Sequence, residues 1–198
     1  TKKSPTELID GTKKEENLFL NIKNSIAFYK KLSDKRALDE WLIYLIALLR
    51  GLGASETRLF CDSFGFRRLD KIRILSAKLS AKKIKLLQSG KILKPNRLYD
   101  ILKSFSPEAI LFFMAETKSS GVKKRIACFL KKLCDTKIAI KGSDLESLGI
   151  TPGPRFKLIL KRVLSEKLNG NIKNKKDEIK FVRHLIMRKN QGCLDYND

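Results

Sequence analysis

The sequence predicts an all-α protein: a multi-helix body followed by a small helical tail containing a helix-turn-helix hairpin. Three observations carry this. Apolar residues recur at helical spacing almost everywhere. No convincing strand is present, since the nearest candidate, residues 137–140, is short and runs into a glycine turn. Pro and Gly fall where helices start and stop. The chain has 198 residues, enough for one sizeable core or two small domains. Its 42% hydrophobic content argues against a disordered tail.

The elements follow in order. Leu18, Ile22, Ile26 and Tyr29 mark a helix over residues 16–32. Residues 38–49 are apolar nearly all round, which predicts a central helix packed on several neighbours. Gly51-Leu52-Gly53 ends it, and Ser55 is the expected N-cap of a helix reaching about Phe64. Residues 71–88 form a long basic stretch with a possible break at 76–80. Pro95 opens a helix over 96–105, and Ser106-Pro107-Glu108 reads as a helix start with Pro at its first position. Gly121 separates that helix from one over 122–134. Residues 137–140 are expected to be an extended linker. The first ten residues and those after Lys189 lack periodicity and are expected to fray. The expected domains are 1–136, a helical neck and body, and 137–198, a helical tail.

The tail contains the run from Gly142 to Pro154, which reads GSDLESLGITPGP. Residues 144–148 are expected to form a short helix, with Gly149 as its left-handed C-terminal residue. Thr151 is the expected N-cap and Pro152 the first residue of a helix to about Leu168. Phe156, Ile159, Leu160, Val163 and Leu164 form its buried stripe. A helix start attracts phosphate through unpaired N–H groups and the macrodipole. Gly149, Thr151, Gly153, Arg155, Lys157 and Lys161 are therefore the candidate phosphate-binding residues. Pro152 and Pro154 each remove a donor. Helix-hairpin-helix DNA binders share the pattern, and Arg162 could simply pair with Glu166.

Charge supports a polyanionic partner. Lys and Arg number 43 against 21 Asp and Glu, a net charge of +22. No acid lies between Asp70 and Asp100, or between Glu116 and Asp135. Lys71, Lys78, Lys82 and Lys85 share one stripe if their helix is straight. Lys124 and Lys131, flanked by Arg125 and Lys132, define a second basic face. For each face the alternative is simple solvation. The longest apolar run, residues 41–49, is too short to span a bilayer. Cys61, Cys128, Cys134 and Cys193 form no C-x-x-C, and there is one His, so zinc spacing is absent. Buried free thiols in a reducing compartment are expected. With no signal peptide visible, a cytoplasmic protein is expected.

Residues 142–170 are similar to the C-terminal part of bacterial class II tRNA nucleotidyltransferases, the CCA- or A-adding enzymes related to poly(A) polymerases. The matching motifs are Gly142-Ser143-Asp144-Leu145, then Leu148-Gly149-Ile150-Thr151-Pro152-Gly153-Pro154, Ile159-Leu160 and Leu168-Asn169-Gly170. Residues 41–49 also look like a body helix of the longer members. Lys157 departs from the pattern, where a small residue is common. The resemblance implies untemplated nucleotide addition to a tRNA 3′ end. In that family the chemistry belongs to an N-terminal head with a Gly-Gly turn and a D-x-D pair for Mg²⁺. Neither motif occurs here. Asp39-Glu40 and Asp177-Glu178 are adjacent pairs that diverge by about 100° on a helix, poor geometry for clamping a metal.

The chain, which begins at Thr1, is thus expected to be a body and tail cut from its head. It would have no catalytic residue, metal or cofactor of its own and be inactive alone, with Mg²⁺ and ATP or CTP held in the head. The expected partner is tRNA, gripped along its acceptor and TΨC side by shape and phosphates. Aromatic stacking is not expected, because most of the 11 Phe sit at core spacing. The alternatives are a helix-hairpin-helix-like DNA-binding module, a poly(A) polymerase RNA-binding region, or a helical scaffold for an acidic protein.

Overall fold

The computed structural model describes the backbone of residues 5–32, 37–79, 81–88 and 92–190, and the side chains of 16–32, 37–78, 84, 86–88 and 92–187. Among the described residues the structure is all-helical, with no strand. The helices are α1 (Pro5–Leu32), α2 (Glu40–Leu48), α3 (Ala54–Ser63), α4 (Arg68–Leu79), α5 (Ala81–Gln88), α6 (Pro95–Leu102), α7 (Pro107–Glu116), α8 (Ser120–Cys128), α9 (Gly142–Glu146), α10 (Pro154–Leu168) and α11 (Lys175–Asn190). A 3₁₀ turn over Leu49–Gly51 follows α2, and a π turn over Phe129–Leu133 follows α8. No helix among the described residues is long and apolar enough to cross a membrane.

The chain divides into two compact units. One comprises Thr1–Leu93 with Asp100–Lys131, the other Lys94–Tyr99 with Lys132–Asp198. The sequence boundary at 136/137 lies a few residues further on, and it did not anticipate that residues 94–99 join the second unit.

The first unit is built around α7. Helices α1, α2, α4 and α8 all pack on it. Ala109, Ile110, Leu111, Phe112, Phe113 and Ala115 are buried around its whole circumference. Each fully buried Leu, Ile or Phe contributes about 1.5–3 kcal/mol by leaving water. The Ser106 hydroxyl accepts from the Ala109 N–H at 3.2 Å, capping α7 as its sequence predicts. Helix α2 packs on α1, α4 and α7, the several neighbours expected for residues 38–49, but it buries one face only, through Leu42, Ile43, Ile46 and Ala47, with Trp41 49% and Leu48 65% exposed. Hydrophobicity all round a helix does not reveal which side finds a neighbour.

Other boundaries moved for local reasons. The N-cap of α3 is Gly53, not Ser55, because Glu56 Oε2 accepts the Gly53 N–H at 2.6 Å. Gly121 lies inside α8, which Ser119 caps through the Val122 N–H at 3.4 Å. Helix α1 begins at Pro5, earlier than the expected fray over the first ten residues. Of the thiols, Cys61 is buried but Cys128 is exposed and Cys134 half-buried, against the expectation of buried thiols; Cys193 lies outside the described residues.

Glu108 on α7 has no exposed surface. Its carboxylate binds the Arg73 guanidinium of α4 through Nη2 on Oε1, and through Nε on Oε2 at 3.2 Å. It also accepts the Asp39 N–H, at 3.4 Å. Arg73 Nη1 in turn donates to Asp39 Oδ2 at 2.5 Å and to Asp70 Oδ1 at 3.4 Å. One cation thus ties α4, α7 and the start of α2 together. Glu108→Ala should cost about 3 kcal/mol of unfolding free energy in urea denaturation, because it removes the buried partner of a largely desolvated guanidinium, which keeps only Asp39 and Asp70. Glu108→Leu combined with Arg73→Met should recover part of that loss, since an apolar pair carries no desolvation penalty.

Candidate nucleic-acid interface

The hairpin lies wholly in the second unit. Its core joins Ile140, Leu145, Ile150, Ile159, Val163, Ile172 and Val182. Helix α9 covers Gly142–Glu146, two residues earlier than the expected 144–148. Asp144 explains the shift: its Oδ2 accepts the Lys141 N–H at 2.7 Å, so the acid stands in the first turn rather than before it. The α9 turn closes through Gly149 N–H to the Glu146 carbonyl at 2.8 Å and Ile150 N–H to the Leu145 carbonyl at 3.1 Å. Gly149 has φ +79°, the left-handed residue the sequence predicts. The ring of Phe156 lies where a side chain on Gly142 would begin, 3.4 Å from the position of a Cβ.

Helix α10 begins at Pro154, so Thr151 is not its N-cap and Pro152 not its first residue. Gly153 takes the capping position. The reason is steric: a residue preceding proline is pushed out of the helical region, so Gly153 cannot be helical ahead of Pro154. Gly170, with φ +84°, closes the far end of α10 in the Leu168-Asn169-Gly170 motif. There Asn96 holds residues 94–99 against α10, its N–H donating to Asn169 Oδ1 at 3.2 Å and its Nδ2 to Ser165 Oγ at 2.8 Å.

Of the residues expected to bind phosphate, Gly149, Thr151 and Gly153 lie in the turn before α10, Arg155 and Lys157 in its first turn, and Lys161 a turn further along. Gly149, Thr151, Gly153, Arg155, Lys157 and Lys161 are all exposed. Arg155, Lys157 and Lys161 form no ion pair among the described residues. Arg162 also lacks an ion pair there, and Glu166 instead accepts from Asn171 at 2.6 Å. No acid stands in the first turn of α10, whereas α3, α7, α9 and α11 carry one or more. Cations at a helix N-terminus oppose the macrodipole, by about 0.3–1 kcal/mol each. An anion bound there reverses the sign.

The other two groups of basic residues, all in the first unit except Lys132, look different once folded. Lys71 pairs with Asp62 at 2.6 Å. Lys78 Nζ donates to the Leu49 carbonyl at 2.5 Å, and burial pushes its ammonium below the usual lysine range. The side chains of Lys82 and Lys85, expected to continue the stripe of Lys71 and Lys78, lie outside the described residues, as does residue 80 between α4 and α5. Arg125 donates to the Leu87 carbonyl at the end of α5. Lys131 stands over the Phe28 ring, 5.3 Å from its centroid. Lys124 and Lys132 are exposed.

Two features escaped the sequence reading. Glu178, considered there as half of a metal clamp, is fully buried and holds the hairpin in place. Its Oε2 accepts the N–H groups of Ala139 and Ile140, both at 2.8 Å, and its Oε1 the Lys167 ammonium at 2.6 Å. The linker entering α9 is thereby bonded to α11 and α10. Among the described residues no group of three or more His, Cys, Asp and Glu could hold a metal ion. The second feature is an exposed set of aromatic rings around the Phe64-Gly65-Phe66 turn. The only available signal was a glycine between two aromatics just past a helix end.

Among the described residues the fold is thus all-helical, and the helix-turn-helix of the second unit carries cations that form no ion pair. The chain is similar to curated A-adding tRNA nucleotidyltransferases. That of Geobacter sulfurreducens is 27% identical over 169 residues, which make up 83% of this chain and 19% of the relative. That of Halalkalibacterium halodurans is 32% identical over 83 residues, 42% of this chain and 19% of the relative. The relationship to tRNA nucleotidyltransferases that the motifs of residues 142–170 suggested is shown by these matches, and the first extends well beyond the hairpin. The chain spans about a fifth of the length of either relative. No family model matches the chain, and no solved structure matches it.

Burial raises the Glu178 carboxyl, but the Lys167 ammonium and the N–H groups of Ile140 and Ala139 outweigh it and hold the group below the ordinary glutamate range. A depressed carboxylate contributes stability above its unfolded value and loses it as pH falls through the folded one. Acid titration followed by amide exchange should therefore release the linker and hairpin as pH drops below the ordinary glutamate value. Glu178→Gln should weaken the second unit at neutral pH and flatten this dependence.

Proposed function

We propose that this chain is the RNA-holding body and tail of a tRNA nucleotidyltransferase. In this reading it grips the acceptor and TΨC side of tRNA through the backbone, so that the 3′ end meets a catalytic head. The observation that carries the reading is the first turn of α10, where exposed Arg155 and Lys157 meet no acid and form no ion pair among the described residues, with exposed and equally unpaired Lys161 a turn further on. A phosphate there would face a helix dipole and flexible cations at once. Proline takes away donors at 152 and 154, so the side chains supply most of the attraction. Lys and Arg directed at phosphates suit double-helical RNA, which is read by shape and backbone. The names of both relatives favour addition of A in the parent protein. Nucleotidyl transfer, with its Mg²⁺ and ATP or CTP, is assigned to the head, and this chain alone should be inactive.

The test is a filter or anisotropy titration with whole tRNA, competed by duplex DNA. Whole tRNA should win, and affinity should fall steeply with salt. Arg155→Ala with Lys157→Ala should weaken tRNA binding roughly tenfold and lower the salt slope by about two, one for each phosphate that is no longer neutralised. A slope and affinity equal to the parent chain, with helicity intact, would remove these residues from the interface. A win for duplex DNA would move the hairpin to the DNA-binding class.

A further inference from the structure

Four aromatic rings of the first unit follow one another in a ladder, one pair stacked and two tilted. Trp41 of α2 stacks on Phe66 with centroids 6.1 Å apart and planes 13° apart. Phe66 follows onto Phe60 at 6.2 Å and 31°, and Phe60 onto Phe64 at 4.5 Å and 32°. Both end rings are open to solvent, Trp41 by 49% and Phe64 by 71%.

Local backbone chemistry builds the ladder. Phe60 and Phe64 are four apart, on one side of α3 and its end. The chain then reverses at Gly65, whose φ of +65° only glycine adopts without strain. The Phe66 N–H donates back to the Cys61 carbonyl at 3.1 Å, and the Gly65 N–H to the Asp62 carbonyl at 3.1 Å. This returns Phe66 onto Phe60 instead of into the core. A chain that buries Phe105, Phe112, Phe113 and Phe129 leaves Phe64 outside.

Two cations adjoin the rings in sequence: Arg67 and Arg68 follow Phe66 directly, and both are exposed. Neither forms an ion pair among the described residues, while the neighbouring Lys71 is neutralised by Asp62. A face meant for an apolar protein surface would bury unpaired guanidinium groups at high cost. Open rings with adjoining arginines are the combination that holds unpaired bases and their phosphates.

We propose that the Trp41–Phe66–Phe60–Phe64 ladder is a stacking platform for the bases of single-stranded RNA, with Arg67 and Arg68 on its phosphates. The platform stands whether or not the hairpin grips tRNA. It departs from the expectation that aromatic stacking plays no part.

Trp41 is the only tryptophan of the chain, so it reports directly. Titrating the 198-residue chain with a short, unstructured oligoadenylate should quench its fluorescence. Oligouridylate should bind more weakly, since stacking strength sets preference on such surfaces. Phe64→Ala should weaken oligoadenylate binding roughly tenfold, the order that one base–aromatic stack carries. Phe64→Leu, which keeps the apolar bulk, should weaken it comparably. The Arg155→Ala, Lys157→Ala pair should leave oligoadenylate affinity within about twofold of the parent. An unquenched Trp41 at saturation, or a Phe64→Ala chain binding as well as the parent, overturns the proposal. So does oligoadenylate binding abolished only in the hairpin variant, or a dimer in sedimentation that depends on Phe64 while oligoadenylate leaves Trp41 unchanged.

Discussion

Glu178 touches no solvent yet keeps its charge, because the Lys167 ammonium and two backbone N–H groups replace the water it has lost. A carboxylate in that position is costly to bury and costlier to leave alone. It therefore fixes the geometry of whatever satisfies it: the linker at Ala139 and Ile140, the end of α10 and the start of α11. The hairpin rests on that arrangement. Glu108 does the same in the first unit, where Arg73 joins α4 to α7. Two of the few acids in a strongly cationic chain are thus committed to holding helices together.

This commitment separates two kinds of cation that look alike in sequence. Arg73, Lys78, Arg125 and Lys167 each satisfy a carboxylate or a helix-end carbonyl. They are structural, and an acid-free interval such as 71–99 overstates the charge offered to a partner. Arg155, Lys157 and Lys161 are different. They lie in the first two turns of α10, whose first turn has no acid, and form no ion pair among the described residues, so their charge is not spent on holding the fold together.

The helix starts show how far local sequence can be read. Ser106-Pro107 and Gly149 behaved as their residue types dictate, since capping and left-handed turns depend on a few adjacent atoms. Thr151-Pro152 and Gly153-Pro154 offered the same start twice. The restriction that a proline places on its predecessor decided for the second. Ser55 lost to Gly53 because Glu56 reached back to the Gly53 N–H. In these cases the information was present in the sequence, but two local rules competed.

The sequence by itself determined the helical class, the buried stripe of α10, the hairpin with its left-handed glycine, and the cationic balance. Each follows from spacing and residue chemistry within one or two helical turns. Only the tertiary structure decided that α7 rather than α2 is enclosed, which lysines are neutralised, that Glu178 anchors the linker, and that Trp41 reaches Phe66. Those outcomes join residues from nine positions apart, as for Lys71 and Asp62, to 69 apart, as for Asp39 and Glu108, and no periodicity encodes which faces will meet across such distances.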